Sequence, residues 1–277
     1  APTISLEYFP PRTEKGAQGL AAARAELKLL KPSYVSVTFG AGGSTQDGTY
    51  ATIKSILEED GVDAAPHISC ISSSRRELAD MLEAYRDLGV KRLVALRGDV
   101  PSGYGTMDAA ELRYANELVA FIREQTGDHF RIEVAAYPET HPQARSAQDD
   151  LDNFKRKVDA GANSAITQYF FNPDAYYAFM DSCSKLGLDI PVIPGIMPIT
   201  NYKQLARFSD TCGAEIPRWI RKRLEGYGDD LASIREFGFD VVLGLCEKLL
   251  DGGAPGLHFY SMNRTEPTRA LWKALDL

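Results

Sequence analysis

Glu7 lies in the run Ser5-Leu6-Glu7-Tyr8-Phe9-Pro10-Pro11, a carboxylate set among large apolar groups. Burial in such surroundings favours the neutral form of a carboxyl. A carboxyl that keeps its proton near neutral pH is what a general acid requires, while the plain alternative is an ion pair with Arg97 or another base. Arg97-Gly98-Asp99 follows the apolar residues 93–96 and places opposite charges beside a glycine that lets a ligand approach the backbone. His67, directly after Pro66, reads as a ligand, an acid or a polar cap on the core. No metal site is expected around it, because His129, His141 and His258 show no HxH or HExxH spacing and Cys70, Cys183, Cys212 and Cys246 show no CxxC. Gln204 and Phe208 stand at i and i+4 on one helical face, where an aromatic is first read as core. Asp150, Asn153 and Lys157 repeat along the polar face of another helix, a pattern shared with any solvated surface.

These residues need elements to hold them. Eight apolar, β-branched runs recur at near-regular intervals, over residues 4–9, 34–39, 65–69, 92–96, 132–136, 165–170, 192–196 and 257–261. Helical periodicity fills the gaps, over 14–30, 45–59, 75–88, 109–126, 147–160, 173–186, 202–208 and 231–251, with an extra helix expected in 214–230 on an Ile216, Trp219, Ile220 stripe. The alternation predicts an α/β fold, a (β/α)8 TIM barrel in a single domain over 1–277. The strand exits then read Glu7, Thr38, His67, Arg97-Gly98-Asp99, Tyr137, Gln168 and Asn263-Arg264. A set so polar and so evenly distributed belongs at the mouth where such barrels bind ligands.

Composition narrows the partners. A net charge of −7 gives no basic surface for nucleic acid or anionic lipid, and no run of about 18 apolar residues could span a bilayer. Small-molecule substrates in a cytoplasm are expected, with the four scattered cysteines reduced. The chain opens on Ala1 and enters its first strand within a few residues, a start read as lacking a signal peptide. There is no GxGxxG, since Thr45 stands where the third glycine would fall after Gly40, no GxxxxGK[ST], and no strand lysine placed for a Schiff base.

Taken together, the motifs Leu6-Glu7-Tyr8-Phe9-Pro10-Pro11-Arg12, Ser36-Val37-Thr38-Phe39-Gly40-Ala41, Ala65-Pro66-His67, Ala95-Leu96-Arg97-Gly98-Asp99, Ala135-Ala136-Tyr137-Pro138-Glu139 with His141-Pro142, the stretch 155–162, Ala165-Ile166-Thr167-Gln168, Pro194-Gly195-Ile196-Met197-Pro198 and Asn263-Arg264 come in an ordered series. In that series the chain resembles the bacterial, single-domain methylenetetrahydrofolate reductases over essentially its full length. The resemblance implies a barrel that binds FAD without a Rossmann domain. It implies hydride passing from NADH or NADPH, NADH being favoured, to 5,10-methylenetetrahydrofolate in a ping-pong relay that supplies methyl groups for methionine synthesis. It assigns Glu7 as the acid that opens the folate's five-membered ring and Asp99 as a fixed charge near flavin and pterin. It assigns Gln168, Gln204, Phe208 and Arg264 to the substrates. Thr38, His67, Arg97, Gly98, Asp99, Tyr114, Ala115, Tyr137 and His141 would meet the isoalloxazine and ribityl, and Asp150, Asn153, Arg156 and Lys157 the ribose and diphosphate. A homo-oligomer is implied, as is the absence of the eukaryotic regulatory domain and of adenosylmethionine inhibition. The competing reading keeps the barrel as a folate-binding or partner-dependent subunit without catalysis of its own.

Overall fold

In a computed structural model, which describes residues 1–39, 45–71, 73–98 and 111–277, the apolar runs form parallel strands. They are β1 (Thr3–Tyr8), β2 (Tyr34–Val37), β3 (Ala64–Ser69), β4 (Arg92–Leu96), β5 (Arg131–Ala136), β6 (Ser164–Thr167), β7 (Val192–Ile193), β8 (Gly195–Ile196) and β9 (Gly256–Tyr260). Neighbours pair in the order β7-β6-β5-β4-β3-β2-β1-β9-β8. The run 192–196 is therefore one barrel strand broken at Pro194, which has no N–H for the ladder. Its first half pairs with β6 and its second with β9, so that the seventh wall of the TIM barrel is built from two short pieces. The Gly195 N–H donates to Thr167 Oγ1 at 2.8 Å, the His258 N–H to the Pro194 carbonyl at 2.9 Å, and the Tyr260 hydroxyl to the Thr167 carbonyl at 2.7 Å.

A Cβ on Gly195 would sit 2.2 Å from the Thr167 carbonyl oxygen and 2.7 Å from the Tyr260 ring, both held in place by the bonds just described. Gly195→Ala is accordingly expected to destabilise the fold by about 2 kcal/mol or more. Urea unfolding checks this, and an unchanged midpoint would show that the seam can spread.

The helices are α1 (Glu14–Leu27), α2 (Thr45–Glu59), α3 (Arg75–Leu88), α4 (Ala115–Thr126), α5 (Ala147–Asp159), α6 (Pro173–Lys185), α7 (Tyr202–Cys212), α8 (Arg218–Tyr227), α9 (Leu231–Asp251) and α10 (Thr268–Ala274). Three differ from expectation for visible reasons. The first ends at Leu27 and continues as a 3-10 turn over Lys28–Leu30. α7 runs four residues past Phe208, because Leu205 and Ser209 bury its inner face and Gly213, at φ +77°, is the residue that ends it. In α8 the buried positions are Ile220 and Leu224, one turn apart, whereas Trp219 is rotated about 100° away and is 60% exposed. Of the predicted stripe, Ile216 and Ile220 are buried and Trp219 is not. The expected start of the fourth helix at residue 109, Asp99, the loop 40–43 and 101–106 lie outside the described residues, while 111–114, expected in that helix, precede it as irregular chain and α4 begins at Ala115.

Side chains alternate along each strand with period two. Ile4, Leu6, Tyr8, Val35 and Val37 face outward into the core under the helices. The barrel interior carries a separate apolar cluster of Tyr34, Ala65, Val94, Ile166 and Leu96. Interiors of this kind are ordinarily filled by branched aliphatics. Here the β9-β1-β2-β3 side is instead built from Ser5, Glu7, Ser36, His67 and His258, all buried except Glu7, which retains 18% of its side-chain surface. That polar wall is the part of the interior that carries the site.

Candidate active site

Glu7 is the hub of the polar wall. β1 directs it inward one layer above Ser5, and parallel pairing sets Ser5 beside His258 and Glu7 beside Ser36. Glu7 Oε1 lies 3.2 Å from His67 Nε2 and 3.4 Å from His258 Nε2, and it accepts a hydrogen bond from the Ser36 hydroxyl at 3.3 Å. On the far side of the His258 ring, Nδ1 is 2.7 Å from Ser5 Oγ. Burial does push the Glu7 carboxyl upward, as its apolar sequence neighbours suggest, but the two imidazoles outweigh it and hold the group down at about 2. The expectation of a carboxyl kept neutral by burial is therefore corrected: without ligands Glu7 is a carboxylate. Its partners are histidines, not Arg97.

The mouth above Glu7 is tied shut along one edge. Asn263, at φ +56°, accepts from the Phe9 N–H at 3.0 Å and donates its Nδ2 to the Phe9 carbonyl at 2.9 Å, while Ser261 Oγ donates to the Glu7 carbonyl at 2.5 Å. The exit of the last strand is thereby fastened to the exit of the first. Arg264, one residue beyond the clamp, lines a cavity with Phe9, Met197, Gln204, Phe208 and Met262. Asn201 caps α7 by accepting the Gln204 N–H at 3.1 Å, which sets Gln204 and Phe208 on the cavity side of the helix. Phe208 is only partly buried and forms cavity wall, so the first reading of an aromatic at that spacing as core does not hold. Aromatic and thioether walls with an amide and a guanidinium at the edge suit a flat heteroaromatic ring with polar substituents.

Gln168 lines a second, smaller recess with Tyr137, Glu139, Tyr169 and Cys212. Tyr137 meets His141 edge-on at 4.5 Å, and the His141 N–H donates to Asp150 at 2.8 Å. The Lys157 ammonium donates to the Ala135 carbonyl at 2.5 Å and lies 5.7 Å from the Tyr137 ring centre. Burial lowers that ammonium to about 8. Lys157 thus braces the β5 exit from below, unlike the solvated helix-face residue its spacing suggested. Arg156, on the exposed face, donates to Asn153 at 2.5 Å. Arg97 reaches Gln143 at 3.2 Å and lies 5.5 Å from the ring centre of Tyr114, which precedes Ala115 at the start of α4. Gly98, at φ +87°, allows the β4 exit to lie against Ser69, whose hydroxyl donates to the Arg97 carbonyl at 3.0 Å. The Thr38 N–H donates to the Tyr8 carbonyl at 3.0 Å, placing Thr38 one strand from Glu7.

Among the site residues expected from sequence, two groups are brought together by the fold. Gln204, Phe208 and Arg264 share the cavity by α7, while Tyr137, His141, Asp150, Asn153, Arg156 and Lys157 gather at β5 and α5. His258, Ser36, Phe9 and Met262 join the site without having been singled out. The signal for His258 was available in its inward register opposite Ser5, but histidines were weighed only for metal spacing.

The family model for methylenetetrahydrofolate reductase matches residues 1–276. The chain belongs to the methylenetetrahydrofolate reductase family. It is 43% identical to the 5,10-methylenetetrahydrofolate reductase of Salmonella typhimurium, across 99% of this chain and 90% of that protein. The Escherichia coli enzyme of the same name is 42% identical over the same shares. A maize methylenetetrahydrofolate reductase (NADH) is 36% identical over 94% of this chain but only 46% of its own length. Among solved structures, a Clostridium thermocellum protein that binds two copies of 5-methyl-5,6,7,8-tetrahydrofolic acid superposes with a TM-score of 0.70 at 18% identity, covering 99% of this chain and 95% of that one. At that identity the likeness speaks for the barrel alone. Among the described residues, no helix of this family member is long and apolar enough to cross a membrane.

Proposed function

We propose that this family member is a cytoplasmic, homo-oligomeric enzyme that reduces 5,10-methylenetetrahydrofolate to 5-methyltetrahydrofolate with FAD and NADH or NADPH. The observation that carries the reading is the seating of Glu7 between His67 and His258 on the strand whose exit residue, Phe9, lines a cavity with Phe208, Gln204 and Arg264.

The residues present fit a flavin. His67 Nε2 is buried beside Glu7 Oε1 at 3.2 Å without closing a well-formed hydrogen bond to it, and the Tyr137–His141 pair, Asp150, Asn153 and the exposed Arg156 lie on the neighbouring side of the mouth. Thr38, His67, Arg97, Gly98, Tyr114, Ala115, Tyr137 and His141 would hold the ring and ribityl; Asp150 and Asn153 would hold the ribose, and Arg156 the diphosphate, with Lys157 supporting Tyr137 or turning outward to join Arg156. Bound there, FAD supplies two-electron chemistry, accepting hydride from the nicotinamide and giving it to the folate carbon.

The protein's own part is positional and protic. Phe208 and Phe9 would cover whichever planar substrate is present, and Gln204, Gln168 and Arg264 would fix its polar edge, so that nicotinamide and folate use one place in turn. Glu7 would deliver a proton to the folate nitrogen that departs as the five-membered ring opens. Asp99, outside the described residues, is assigned the fixed negative charge near the pterin on the family resemblance.

Anaerobic half-reactions test the proposal. The purified protein is expected to be yellow, to bleach with NADH or NADPH, and to regain colour with 5,10-methylenetetrahydrofolate in the absence of nicotinamide. A protein that takes up no FAD, or whose flavin is not reduced by nicotinamide, would instead be a folate-binding module.

A further inference from the structure

The two imidazoles hold the Glu7 carboxyl well below the usual carboxylate range, so that at pH 7 it rests ionised and, standing alone, is a poor acid. The proton it delivers must be kept close by. Resting on the functional reading above, we propose that His258 is a positioning residue that stores this proton between turnovers and returns it to Glu7 across their 3.4 Å contact.

The surroundings of His258 suit storage. Its ring is fully buried, and both nitrogens have partners: Glu7 Oε1 at Nε2 and Ser5 Oγ at Nδ1. The ring of Tyr34 lies roughly parallel to that of His258. A hydroxyl both donates and accepts, so Ser5 can reverse its role when the imidazole gains or loses its proton. Nδ1 then keeps a hydrogen bond in either state. A backbone carbonyl in place of Ser5 would accept only, and would fix one tautomer.

The ionisable groups facing the ring are Glu7 from β1, Tyr34 from β2, His67 from β3 across Glu7, and Tyr260 from β9, whose ring meets it edge-on at 5.3 Å. Arg92 and Glu133 lie behind Tyr34. Glu7 is the one anion in direct contact with the ring among the described residues. The Nε2 proton moves to Glu7 and on to the departing substrate nitrogen, so that the step leaves a carboxylate and a neutral imidazole. After product departs, one proton from solvent enters through the partly exposed Glu7 and passes back to Nε2. One proton is consumed in each cycle, as the reduction requires.

Two readouts test the proposal. In ¹⁵N-histidine spectra of the apoprotein, the signal lost in His258→Gln is assigned to His258, and Glu7→Gln is expected to lower its titration midpoint by a unit or more. In anaerobic half-reactions, His258→Gln is expected to shift the alkaline limb of the folate step down by at least one pH unit and slow that step at least tenfold at pH 7.5. Flavin reduction by nicotinamide should stay within twofold of wild type. Ser5→Ala, the milder change, should move the same limb in the same direction, and it carries the test if His258→Gln does not fold. A His258 midpoint indifferent to Glu7→Gln, or a slowed folate step with an unmoved pH limb, overturns the store and leaves a structural histidine. A wild-type protein without folate turnover, but with His258 coupled to Glu7, would overturn the functional reading and keep the coupled pair.

Discussion

Glu7→Gln is expected to slow the folate half-reaction by about 10³ while leaving flavin reduction by nicotinamide nearly intact. A positioned acid is worth about 10²–10⁴ in rate, and the amide keeps the side chain's size while removing the proton it must give. Only one of the two half-reactions breaks a carbon–nitrogen bond and needs that proton. Stopped-flow absorbance at the flavin band separates the two steps on one sample. Equal slowing of both would mean that Glu7 shapes the pocket for the flavin and has no protic role. The substitution also removes the anion that His67 and His258 share, so circular dichroism should accompany the kinetics.

Replacing Glu133 with Ala should cost about 3 kcal/mol of stability, the largest loss expected from a single change away from the mouth. Glu133 is 1% exposed inside the barrel. It is hydrogen-bonded to the Arg92 guanidinium and the Ser164 hydroxyl, with the Arg131 Nε 3.5 Å away. Arg131 is nearly half exposed and can turn to water. Arg92, stacked 4.1 Å from the centre of the Tyr34 ring, is three-quarters buried and would lose its counter-charge where it stands. Breaking a buried pair from one side typically costs about 3–5 kcal/mol, and the lower end suits a pair with some solvent contact. Urea unfolding with an unchanged slope is the measurement. A loss below about 0.5 kcal/mol, the scale of an ordinary surface substitution, would show that Arg92 does not depend on Glu133. Glu133→Gln, which can still accept from Ser164, should fall between the two.

Strand positions were legible because each strand is an apolar run ending at a polar residue, and pairing needs little else. The break at Pro194 lies inside the run 192–196 but shows only when its two halves are seen to pair with different neighbours. Glu7 was legible as a place and misread as a state. The groups that set its charge lie 60 and 251 residues along the chain, beyond any local window of apolar neighbours. Phe208 and Trp219 were both read as core and failed for one reason: helical spacing defines a face but does not say what the face meets. Phe208 meets a cavity and Trp219 meets solvent. The roles assigned to the flavin and substrate residues came from family resemblance, since Gln168, Gln204 and Arg264 carry no spacing that separates them from ordinary polar surface.

The clasp between Asn263 and Phe9 has a bearing on biosynthesis. Proteins leave the ribosome amino terminus first, so Glu7 and Phe9 emerge with neither His258 nor Asn263 yet translated. The pocket can form only when the first and last barrel strands meet, and on the proposed function flavin loading should therefore follow synthesis of the last strand. A nascent chain stalled before residue 256 would display its reactive carboxylate yet retain no flavin, and flavin fluorescence quenching would mark the moment at which the circle is completed.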